Sequence, residues 1–84
     1  MEIKVLGTGC PRCKKVEELV RAALADLGAE AKLTKVTNMA DILQYQIMAT
    51  PGLVIDEKVY CYGRIPSPVE VTSFITTALS RQEG

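Results

Sequence analysis

Apolar residues recur at helical spacing in one long stretch of this chain. Val16, Leu19, Val20, Ala23, Leu24 and Leu27 follow one another at steps of three and four, while Lys14, Lys15, Glu17, Glu18, Arg21 and Asp26 take the opposite face. Gly28 supplies a stop signal. Before this helix, Glu2 to Leu6 alternates polar and apolar like a strand and ends in Gly7-Thr8-Gly9. After it, Ala31 to Val36 alternates again, so strand, helix and strand form a right-handed βαβ unit with parallel strands.

Asn38 with Asp41 three residues on reads as a variant capping box opening a short helix through about Gln46. That helix ends before Thr50-Pro51, because the residue preceding proline is pushed toward extended geometry. Leu53-Val54-Ile55, a polar turn at Asp56-Glu57-Lys58 and the run Val59 to Tyr62 predict an antiparallel hairpin closed by Gly63. Ser67-Pro68-Val69-Glu70 is a helix start with serine as N-cap, proline at the first position and glutamate completing a capping box. Val71, Phe74, Ile75, Ala78 and Leu79 form its buried stripe, and residues 80–84 are expected to fray. The order is β-α-β-α-β-β-α, with no repeat or linker, so one domain over residues 1–84 is expected.

Composition narrows the function. Ten basic and ten acidic side chains cancel, so no overall field favours nucleic acid or an anionic membrane. No apolar run approaches membrane-spanning length, and Met1 to Leu6 reads as a strand rather than a signal peptide, so a cytoplasmic location is expected. Histidine is absent, which excludes a Cys-His catalytic pair or a histidine metal ligand within the chain. The three cysteines are too few and too oddly spaced for a secreted disulfide framework.

Two of them, in Gly9-Cys10-Pro11-Arg12-Cys13, stand at the junction of the first strand and first helix. Pro11 suits the first helical position, which makes Cys10 the N-cap residue. There the unpaired backbone donors and the positive end of the helix dipole favour thiolate over thiol. Cys13, one turn on, continues the apolar stripe toward the core. An exposed thiolate with a sheltered partner suits two-step thiol–disulfide exchange, which needs no cofactor and no metal. Arg12 either stabilises the Cys10 thiolate and steers an acidic partner or is a solvated charge. Cys61, Tyr45 and Tyr62 are read as packing residues, and Gly63 as a turn residue.

Val5 to Lys15, taken with Thr50-Pro51-Gly52-Leu53-Val54-Ile55-Asp56, resembles the small archaeal and bacterial thioredoxin-like, glutaredoxin-sized redox-active disulfide proteins. The resemblance implies a minimal thioredoxin-like α/β fold, with a four-stranded mixed sheet and three helices. It further implies Cys10 as nucleophile, Cys13 as resolving residue, and a cis proline at Pro51 that faces the cysteines and lets Thr50 pair with an extended substrate. Gly9, Pro11 and Arg12 then support the pair. Protein disulfides are the implied substrates, and a thioredoxin-reductase-like flavoprotein or another thiol donor the implied reductant.

The chain departs from thioredoxins at Gly9, where they carry an aromatic residue, and at Lys4, where their buried proton-transferring carboxylate falls. It lacks the glutathione-binding segment of glutaredoxins, having Tyr62-Gly63-Arg64-Ile65 there. Two other functions compete for the same residues. A soft-metal carrier also sets a Cys-x-x-Cys between a first strand and helix, although such domains end on a strand and have no use for Thr50-Pro51. A non-catalytic interaction domain would keep the fold with idle cysteines.

Overall fold

The computed structural model describes residues 1–8 and 11–81. Strand β1 (Glu2–Leu6) leads to helix α1 (Pro11–Leu27), followed by β2 (Lys32–Val36), α2 (Met39–Leu43), β3 (Gly52–Ile55), β4 (Lys58–Tyr62) and α3 (Pro68–Arg81). The sheet order is β2-β1-β3-β4. β1 pairs in parallel with β2, with Ile3 opposite Leu33, and antiparallel with β3, with Val5 opposite Leu53. All four residues of β3 are buried, as expected of a central strand covered on both faces.

Side-chain alternation divides the sheet into two faces. Ile3, Val5, Leu53 and Ile55 join Val16, Val20 and Ala23 of α1 and Val71, Ile75 and Ala78 of α3 in the larger core. Leu6 and Val54 point the other way and meet Ile42 and Ile47 in a smaller cluster beneath α2. The α1 stripe is buried at Cys13, Val16, Val20 and Ala23, but Leu27 emerges to solvent at the last turn.

Local chemistry explains where the elements stop. Gly28 follows α1 with φ +64°. The Asn38 side chain caps α2 by accepting from the Ala40 N–H at 2.8 Å. This helix ends at Leu43, short of the expected Gln46, because the N–H groups of Gln44, Tyr45 and Gln46 donate to carbonyls only three residues back. Gln46 then turns left-handed at φ 60°, which brings Ile47 back under the sheet.

The hairpin turn has two residues rather than three. Asp56 and Glu57 both have positive φ, at 50° and 68°, the geometry that matches strand twist, and Lys58 already belongs to β4 opposite Ile55. A register shift between Leu53 and Val54 leaves Tyr60 as the extra residue of a bulge. Its ring packs on the larger core, 5.6 Å from the Phe74 ring. At α3 the expected capping box is complete: the Ser67 N–H donates to Glu70 Oε1 at 3.0 Å and the Glu70 N–H to Ser67 Oγ at 3.2 Å. This helix continues through Ser80 and Arg81, which were expected to fray, and residues 82–84 lie outside the described part.

Candidate active site

The site forms where β1 ends, α1 begins and the segment before β3 passes close by. The Gly7 N–H donates to the Val36 carbonyl at 2.9 Å, carrying the β1–β2 ladder one residue beyond the strand. Gly7 is a glycine for steric reasons, since a Cβ there would be driven into Cys13 Sγ. The same point lies 3.9 Å from the Thr50 Cβ, so Gly7, Cys13 and Thr50 converge. Cys13 is 6% exposed and belongs to the larger core, as its position on the stripe requires. Cys10 and Gly9, assigned from sequence to the helix mouth, lie outside the described residues.

The Thr50–Pro51 peptide bond is cis, as the resemblance implied, and Pro51 is fully buried. Its carbonyl accepts from the Gly63 N–H at 2.8 Å. The Gly63 carbonyl in turn accepts from Arg12 Nη2 at 3.3 Å. Gly63 makes both bonds from φ +79°, a conformation that glycine adopts without the clash a side chain would cause. The Arg12 guanidinium therefore ties the first turn of α1 to the loop after β4, and through it to Pro51. The sequence did not announce this connection, because its partners are backbone atoms remote along the chain.

Lys4 does not approach Cys13. Strand alternation sends it to the α2 face, where Nζ donates to the Tyr45 hydroxyl at 2.9 Å and pairs with Glu57, while the Tyr45 hydroxyl donates to Glu57 at 3.0 Å. These bonds raise the Lys4 pKa and lower that of Glu57, each chiefly through the other. The β1 residue on the thiol face is instead Val5, one of the residues lining a cavity of about 40 Å³ beside Cys13. Glu17 and Lys35 line the same cavity, and Lys35 Nζ lies 3.2 Å from Glu17 Oε2. Helical spacing could have drawn attention to Glu17, which stands four residues after Cys13. Lys35, from another strand, gave no such signal.

Cys61 is 8% exposed and packs in the larger core, and burial pushes its thiol pKa upward. Tyr45 serves the Lys4–Glu57 pair, and Tyr62 is half exposed on the edge strand. On the α2 side an apolar groove of about 290 Å³ runs past Thr50, with Met39, Leu43 and Met48 along it.

Comparison with known proteins agrees with this geometry. The Thioredoxin domain family matches residues 1–76. A thioredoxin of Methanocaldococcus jannaschii is 38% identical over 69 residues, covering 82% of this chain and 79% of the relative. A thioredoxin of Methanothermobacter thermautotrophicus is 34% identical over 76 residues, covering 90% of this chain and 99% of the relative. The structure of thioredoxin 1 from Thermosipho africanus superposes with a TM-score of 0.61 over the full length of both chains, at 18% identity, and so speaks to the fold. With the fold, the buried Cys13 at the strand-to-helix junction and the cis Thr50–Pro51 bond whose Thr50 converges with it on Gly7, these matches show that the chain belongs to the thioredoxin family of thiol–disulfide oxidoreductases.

Proposed function

We propose that Cys10 and Cys13 of the Cys-Pro-Arg-Cys segment are the redox couple, with Cys10 as nucleophile and Cys13 as resolving thiol. The observation that carries this reading is Cys13 itself: buried on the first turn of α1, packed against Gly7 and near Thr50 of the cis Thr50–Pro51 bond. Cys10 immediately precedes Pro11, the first residue of α1, where the helix dipole favours a thiolate. The Cys10 thiolate attacks a protein disulfide and one substrate sulfur leaves. Cys13 then attacks Cys10 Sγ, the bond to the remaining substrate sulfur breaks, and a Cys10–Cys13 disulfide remains. Two electrons have passed to the substrate, and a thioredoxin-reductase-like flavoprotein or another thiol donor returns them.

Thr50 and Pro51 receive the substrate backbone. Gly9, Pro11 and Arg12 support the pair, Arg12 through its bond to Gly63. The balance of basic and acidic side chains supports protein partners over nucleic acid or an anionic membrane, and a cytoplasmic setting is part of the same proposal. Trapping with a disulfide-bearing protein tests the roles: Cys13→Ser accumulates a mixed disulfide through Cys10, and Cys10→Ser forms none. Equal trapping by the two variants would overturn the assignment.

A further inference from the structure

The resolving step leaves one proton to be accounted for. Cys13 attacks as it loses its proton, and no histidine exists anywhere in the chain to take it. The cavity of about 40 Å³ beside Cys13 has room for water. Among the described residues, charged side chains reach it from two elements, Lys14 and Glu17 from α1 and Lys35 from β2, while β1 contributes Val5, the residue after it Gly7, and the segment after β2 Thr37. Of these charged groups, only the Glu17 carboxylate can accept a proton at neutral pH.

Glu17 is also the member turned inward. Its side chain is 15% exposed, against 58% for Lys35, and it stands one helical turn after Cys13, at the border between the apolar stripe and the polar face. Two cations hold it: Arg21 Nη2 at 3.0 Å and Lys35 Nζ at 3.2 Å. We propose that Glu17, fixed by Lys35 across this cavity, receives the Cys13 proton through water while the Cys10–substrate disulfide is resolved. This deepens the preceding proposal and rests on Cys13 being the resolving thiol. The balance is simple: the Cys13 S–H bond breaks, the Cys10–Cys13 bond forms, the substrate leaves as a thiolate, and the proton passes to the carboxylate and then to solvent. Arg21 and Lys35 keep Glu17 below the usual carboxylate range, so the acceptor is ionised throughout neutral pH.

The test uses 5,5′-dithiobis(2-nitrobenzoate) with the reduced full chain in a Cys61→Ala background, followed by stopped-flow. The first thionitrobenzoate reports attack by Cys10, and the second reports resolution by Cys13. While the mixed disulfide exists Cys10 cannot titrate, so the second phase reads Cys13 and its acceptor alone. Glu17→Gln is expected to slow the second phase at pH 7 by about tenfold or more and leave the first unchanged. Its rate should then climb roughly tenfold per pH unit, because hydroxide must replace the carboxylate, whereas the parent chain stays nearly flat. Glu17→Asp should recover part of the loss, and Lys35→Gln should move the acid limb of the profile upward.

A second phase in Glu17→Gln that is unchanged or faster, with the parent's pH profile, would overturn the proposal. A Cys13→Ser chain that still releases a second equivalent would overturn the resolving role beneath it instead.

Discussion

The two faces of the sheet are built to different standards. The face under α1 and α3 holds a continuous core in which Ile3, Val16, Val20, Val71 and Ile75 are essentially inaccessible, and Cys13 is part of that packing. The α2 face holds a smaller cluster, in which four buried apolar side chains meet among the described residues, and its helix is five residues long. Around it Met39, Leu43 and Met48 stand open to solvent, Met48 at 92%. The contrast suits thiol chemistry. If Cys13 is the resolving thiol, as proposed, its sulfur has to be held in one position, and dense packing does that. The open side carries the groove past Thr50, where few contacts constrain the chain.

If the faces differ in this way, truncation should tell them apart. Ile75→Ala removes a fully buried side chain from the dense face and should cost about 3–5 kcal/mol by urea denaturation. Ile42→Ala, equally inaccessible but beside the groove, should fall nearer ~2 kcal/mol because the surroundings can collapse into the space. Equal losses would remove the contrast. Gly7→Ala should cost about 1–3 kcal/mol through overpacking, and by displacing Cys13 Sγ it should also slow resolution of a mixed disulfide. A variant as stable and as fast as the parent would show that the sulfur is not tightly held.

A smaller effect concerns the helix that closes the dense face. Glu70 is pulled down to about 2 by Arg64 first, with a further contribution from the Ser67 N–H. The Arg64 Nη1–Oε1 bond is 3.0 Å. Since the folded pKa lies below the ordinary 4.5, the stabilisation is present above that value and is lost as pH falls from there toward about 2. Glu70→Gln should therefore flatten part of the decline in urea midpoint over that window, whereas Ser67→Ala should cost about 1 kcal/mol at neutral pH. The smallest change is expected at Met48→Ala, within about 0.5 kcal/mol, because its side chain is almost wholly in water.

Much of this was legible in the chain because the controlling forces are local. The α1 stripe as far as Ala23, the Ser67–Glu70 box, Asn38 as the N-cap of α2 and the stop at Gly28 depend on residues within a turn or two of one another and appear as read, whereas Leu27 leaves the stripe for solvent and Asn38 accepts from Ala40 rather than sharing a box with Asp41. The elements read less accurately were those whose ends depend on packing. The end of α2 is decided by Ile47 finding the underside of the sheet, and the two-residue turn at Asp56-Glu57 by strand twist and by Glu57 reaching Lys4 and Tyr45. The Tyr60 bulge is invisible in a run of alternating β-formers, since it depends on which residues of β3 lie opposite.

The candidate site divides along the same line. Sequence alone determined that Cys13, three residues after Cys10 in the chain, lies on a buried helical stripe and that Thr50-Pro51 precedes the hairpin, because periodicity and turn chemistry act over a few residues. Only the tertiary structure decided what surrounds them: Gly7 against the sulfur, Arg12 on Gly63, and Glu17 with Lys35 across the cavity. Those contacts join segments tens of residues apart, and they come into being only when the parallel β1–β2 pairing and the antiparallel β1–β3 pairing bring the segments together.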